Sequence, residues 1–134
     1  MKMLLRAGIL SWCVVALSGA AWPAEEVRPL EFVHALREKG YHEIAVDYLN
    51  MLKQQPSLSP EVAAVWDLEM SKCLRGAASR ALNPKDFEET MNSAQKHLDK
   101  FLKEHANHAE AVTAMISGGT FSIDRALQHL RAAK

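Results

Sequence analysis

His97, His105 and His108 are the residues best placed for metal chemistry, because eight-residue and three-residue spacings bring their imidazoles within a turn or two of each other on one helix. No flanking cysteine or carboxylate pattern completes a tetrahedral set. His105 and His108 also fall where a helix ends, and there an imidazole can interact with free carbonyls. His34, His42 and His129 are scattered and suit a surface or a helix edge. Cys73 has the chemistry of a nucleophile, but it lies on an apolar stripe between Met70 and Ala77 and reads as a small buried hydrophobe. Glu88 with Glu89, and Asp67 with Glu69, would serve acid/base catalysis if they converged on one substrate. Adjacent helical positions point about 100° apart and an i,i+2 pair diverges further, so both pairs read as solvated helix surface. Gly118-Gly119 lacks the preceding strand, the further glycines and the lysine of a phosphate loop. No catalytic, cofactor-binding or metal-ligating residue is therefore assigned, and a protein that is not an enzyme is expected.

The elements around these residues begin with an export signal. Lys2 and Arg6 precede an almost wholly apolar run from Ala7 to Leu17, and Ser18-Gly19-Ala20-Ala21 supplies small residues. That order predicts a signal peptide over residues 1–21, cleaved between 21 and 24, and a periplasmic or secreted domain over 25–134. Cys13 follows the bulky Trp12 where lipid attachment needs a small residue, so it reads as part of the leader. An apolar stretch of roughly 15 residues is short of the ~20 that a membrane-spanning helix needs. Membrane association is expected only if the leader stays uncleaved.

Without Lys2 and Arg6 the chain keeps 14 basic residues against 16 acidic ones, a formal charge of −2. The two signs are interleaved, as in Lys96, Asp99, Lys100, Lys103 and Glu104, which argues against a nucleic-acid partner. Beyond the leader only Cys73 remains, so packing must hold this small domain without an internal disulfide.

Helical periodicity runs through the rest. Pro29 suits a first turn, and a helix to Lys39 carries Phe32, Val33 and Leu36 on one side before Gly40 ends it. Tyr41, Ile44, Ala45, Tyr48, Leu49 and Leu52 then mark a second amphipathic helix, closed by Pro56. Ser59-Pro60-Glu61 is a helix start, with a capping hydroxyl, a proline at the first helical position and a carboxylate facing the positive dipole end. Val62, Trp66, Met70, Cys73 and Ala77 continue that helix to about Ser79. Asn83-Pro84-Lys85-Asp86 repeats the start grammar, with Asp86 completing a capping box around Asn83. Phe87, Met91, Ala94, Leu98 and Phe101 form the narrow seam of a fourth helix suited to an antiparallel partner. A second capping box, Asn107 with Glu110, starts a fifth, whose apolar side is Val112, Met115 and Ile116. Gly118-Gly119 is read as lying within one continuous helix, and Ile123, Ala126, Leu127 and Leu130 extend its apolar stripe with no returning partner helix. Trp66, Tyr41 and Tyr48 fit core positions first and a binding groove second.

Two stretches resemble the tetratricopeptide repeat (TPR) family. Gly40, Ala45 and Leu49 fall where that family has its turn glycine, a small second-helix residue and a large one, and Pro56 lies one residue short of its closing proline. Ala94 and Leu98 match the same small and large positions, and His97 to Ala111 looks like a junction between repeats, with Ala106 and Ala109 where prolines are common. Ala45 and Ala94 lie 49 residues apart, beyond the roughly 34-residue unit, which requires either long third and fourth helices or a looser hairpin array. The fold class expected is all-α: antiparallel helical hairpins stacked as a short TPR-like α-solenoid. The resemblance implies a scaffold or adaptor without catalysis or cofactor, binding a protein or peptide partner along a helical groove. The alternative is a structural N-terminal segment of a longer repeat array or membrane-anchored assembly without its own ligand. Stacked hairpins need neighbours to complete their cores, so a homo-oligomer is a third possibility for the last helix.

Overall fold

The computed structural model describes residues 28–133, which form five helices and no strand. The expected leader lies outside the described residues. The helices are α1 (Pro29–Glu38), α2 (His42–Lys53), α3 (Pro60–Ala78), α4 (Pro84–Glu104) and α5 (Ala111–Ala132). Each packs on its neighbour in sequence, and α1 also touches α3, so the chain is an all-α stack of antiparallel hairpins. α3 and α4 run to 19 and 21 residues. Among the described residues no helix is long and apolar enough to cross a membrane.

Local chemistry sets the helix ends. Gly40 has φ of 77°, a left-handed conformation that any side chain would strain. Its N–H donates to the Arg37 carbonyl at 2.9 Å, and the Tyr41 N–H donates to Leu36 at 2.8 Å, which closes α1 in a Schellman motif and turns the chain into α2. Ser59 accepts from the Val62 N–H at 3.3 Å at the start of α3. Asn83 accepts from the Asp86 N–H at 2.8 Å, while its amide donates to the Asp86 carboxylate at 2.6 Å. Each such cap is worth about 1 kcal/mol.

The start of α5 differs from expectation. Glu110 is the N-cap and makes no side-chain cap bond. The Asn107–Glu110 box does not form, because the Glu110 N–H donates to His108 Nδ1 at 3.1 Å and the Ala111 N–H to the His108 carbonyl at 2.9 Å, so the turn is built around His108.

Two apolar clusters meet on α3. Val62, Trp66, Met70 and Cys73 pack with Val33 of α1 and with Ala45, Leu49 and Leu52 of α2. Leu68 and Ala78 pack with Phe87, Met91, Ala94, Leu98 and Phe101 of α4 and with Ala114 and Phe121 of α5. Leu74 touches both clusters. The expected core face of α2 is rotated: Tyr41 and Ile44 are exposed, and Val46 packs inward in their place. α1 and α3 pack on the side of α2 that holds Ala45, Leu49 and Leu52, and Ile44, about 100° round the helix from Ala45, stays in solvent.

Candidate functional site

α5 leans on α4 and leaves a gap toward α3. Ala111, Ala114 and Phe121 are its buried residues, and the Arg125 guanidinium fixes the register by meeting Asn92 Oδ1 at 2.7 Å and Glu88 at 3.4 Å. Beside the apolar cluster shared with α3, one polar side chain spans the gap: Arg75 Nε donates to Asp124 Oδ2 at 2.6 Å, and its guanidinium lies 5.6 Å from the centre of the Phe121 ring. Beneath that bridge is a cleft of about 410 Å³. Its floor is apolar, formed by Leu68, Phe87, Met91, Leu98 and Phe121 with the buried Ser71 among them, and its rim carries Ser79, Ser117, Leu127, Gln128 and Arg131. Of the cations lining the cleft, Lys72 and Arg75 are engaged by Glu69 at 2.7 Å and Asp124 at 2.6 Å, whereas Arg131 has no ion-pair partner among the described residues. Such a cleft recognises apolar side chains and fixes their orientation with hydroxyl and amide groups.

The carboxylates read as solvated surface are mostly structural. Asp67 is buried and joins α3 to α4, 2.7 Å from both His97 Nδ1 and the Lys100 ammonium. Burial pushes its carboxyl up, but the hydrogen bonds and charges of Lys100 and His97 outweigh that cost, and its pKa lies below the usual aspartate value. The same contact raises the pKa of Lys100. Glu69 bridges Lys72 and, at 2.9 Å, Arg37 of α1. Glu88 faces Arg125, and only Glu89 conforms to the sequence reading. The divergence of i and i+2 on a helix is real. It sends Asp67 toward α4 and Glu69 toward α1, where each finds a cation that no local pattern reveals.

The histidines do not converge. His97 belongs to the Asp67 node and sits edge-on to Trp66, with centroids 5.5 Å apart. His105 and His108 pack around Phe101 at centroid distances of 5.4 and 5.7 Å, so the rings cover an aromatic side chain at the end of α4. His42 lies against Gly76 of α3, where an added β-carbon would collide with the imidazole. Burial, then the Arg80 charge, lower its pKa. Among the described residues no three His, Cys, Asp or Glu side chains gather as a metal-binding group.

Cys73 is fully buried, and burial pushes its thiol up to about 11. A thiol so placed carries little thiolate. We expect alkylation by iodoacetamide at pH 8 to run roughly 100-fold slower in the folded protein than in urea, read by mass spectrometry. Equal rates would show the site to be open.

Sequence reasoning missed the cleft. Its lining comes from three helices and runs from Leu68 to Arg131 in sequence, and the Arg75–Asp124 bridge spans 49. Compared with known protein families, curated proteins and solved structures, the chain matches none.

Proposed function

We propose that the chain is an exported, non-catalytic interaction scaffold that receives a segment of a partner protein in the cleft between α3, α4 and α5. One observation carries the reading: an apolar floor lies open under a polar rim whose cations Lys72 and Arg75 are paired, with Arg131 beside them left without an ion-pair partner among the described residues. About 410 Å³ accommodates two or three peptide side chains and falls in the range of ordinary ligand clefts of ~300–1,000 Å³. The order of charged start, apolar run and small residues supports export. The tetratricopeptide-like positions Gly40, Ala45, Leu49, Ala94 and Leu98 support a role in protein binding.

The test is site-specific photocrosslinking in the cell envelope. A photoreactive residue at Ser117, on the rim, is expected to capture one protein reproducibly, and Gln128→Trp, which fills the cleft from α5, is expected to reduce that capture at least ~10-fold with circular dichroism unchanged. Capture that ignores Gln128→Trp, or none at all, would remove the cleft from the binding function.

A further inference from the structure

We propose that α5 is the interface of a symmetric homodimer, with its exposed stripe lying antiparallel against the same stripe of a second copy. Val112 (66% exposed), Met115, Ile116 (68%), Ile123, Leu127 and Leu130 (64%) all stand in solvent. Taken at 100° per residue they fall within about 60° of one line along the helix, opposite the face that holds Ala114 and Phe121. Six large apolar side chains in one row form a patch of several hundred Å², beyond the scattered exposure normal for a monomer.

Three features favour a second copy of the chain over another occupant. The first is self-complementarity, which a two-fold interface requires: residue i must meet j while j meets i. Pairing the helix antiparallel about Phe121 sets Val112 opposite Leu130, Met115 opposite Leu127, Ile116 opposite Ala126, and Gly119 opposite Ile123. Every large side chain on the stripe then meets an apolar or small one. The second is Gly119, which lies on this line where an added β-carbon would meet nothing in its own chain. Gly119 thus has no packing role within the protomer, while in the pairing it makes room for Ile123. Gly118, at the boundary with α4, would bring a β-carbon only to ordinary contact, 3.5 Å from Leu98.

Charge is the third. No charged residue occurs from Ala111 to Ile123, so the central stripe can be dehydrated without stranding an ion. At the two ends, Glu110 and Arg131 have no ion-pair partner among the described residues. Antiparallel pairing brings the Arg131 end of one copy beside the Glu110 end of the other, and it opposes the helix dipoles favourably. The patch falls short of the ~800 Å² per partner of a standard interface, so a dissociation constant on the order of micromolar is expected.

The test is sedimentation velocity on the chain purified in the form the cell leaves it, from 1 to 100 μM. The expected result is a monomer–dimer equilibrium within that range. Ile123→Glu abolishes it with circular dichroism unchanged, while Ile44→Glu, an equally exposed apolar site on α2, preserves it. A monomer at every concentration, a dimer that survives Ile123→Glu, or open-ended polymers would each overturn the proposal. Leu127 and Arg131 border both the stripe and the cleft, but neither Ile123 nor Ile44 lines it, so Ile123→Glu breaks the dimer while leaving the lining that captures a partner unaltered.

Discussion

Trp66→Ala is expected to destabilise the domain by about 3–5 kcal/mol, which is a large share of the roughly 5–15 kcal/mol that holds a small domain folded. Trp66 is only 5% exposed and occupies the seam between α2 and α3. Its indole N–H donates to the Leu49 carbonyl at 2.8 Å, so the ring both fills space and satisfies its one polar atom. The Lys53 ammonium stands 4.0 Å from the ring centre on the solvent side, and His97 meets it edge-on. Alanine leaves a void among Leu49, Leu52, Val62 and Met70, all held by helix backbones that cannot collapse onto it. Trp66→Phe keeps most of the volume and gives up the hydrogen bond, so a loss nearer 1 kcal/mol is expected. Urea titration followed by far-UV circular dichroism measures both. A Trp66→Ala midpoint within error of the parent would show that α2 does not depend on α3 for its position.

Asp67, the next residue, faces the other hairpin and gives the second large effect. Removing its carboxylate leaves Lys100 and His97 without their shared partner at a partly buried junction. Breaking a buried ion pair from one side costs ~3–5 kcal/mol when the surviving charge is trapped. Here the Lys100 side chain is 48% exposed and can turn to water, so about 2–3 kcal/mol is expected for Asp67→Ala.

The pH dependence follows from the direction of the shift. The folded pKa of Asp67 is depressed, so its contribution is fully present above the unfolded value near ~3.9 and is lost as pH falls through the lower folded value. The stability gap between the parent and Asp67→Asn should therefore be widest above about pH 4 and close progressively below it. A gap that stayed constant down to pH 2 would mean that packing, not charge, is what Asp67 supplies.

Trp66 and Asp67 together show why α3 organises the fold. Two consecutive residues point about 100° apart, and that angle sends one side chain into the cluster shared with α1 and α2 and the other across to α4. Leu74, two turns on, touches both clusters. The cleft is the consequence on the far side. Because α4 takes the buried face of α5, α3 reaches α5 through the long Arg75 side chain, and the space below stays open.

Helix existence and, apart from the start of α5, helix ends were legible in the sequence because their causes are local. Pro29, Pro60 and Pro84 stand at first helical positions, Ser59 and Asn83 cap as expected, and Gly40 takes the one backbone conformation that its neighbours could not. The seam of α4 was legible too, since Phe87, Met91, Ala94, Leu98 and Phe101 repeat at steps of four and three over a full partner helix. What an apolar stripe is for was not legible. On α5 periodicity marked Val112, Met115 and Ile116 as the apolar side, yet α4 binds the face of Ala111, Ala114 and Phe121 and leaves that stripe in solvent. On α2 the same ambiguity misplaced Tyr41 and Ile44. Periodicity states that a helix has an apolar face, whereas the choice of face and partner depends on how the helices stack. The same holds for Asp67, Glu69 and Arg75: their types are written in the chain, but their partners lie 30 to 49 residues away in sequence and become neighbours only when the hairpins close.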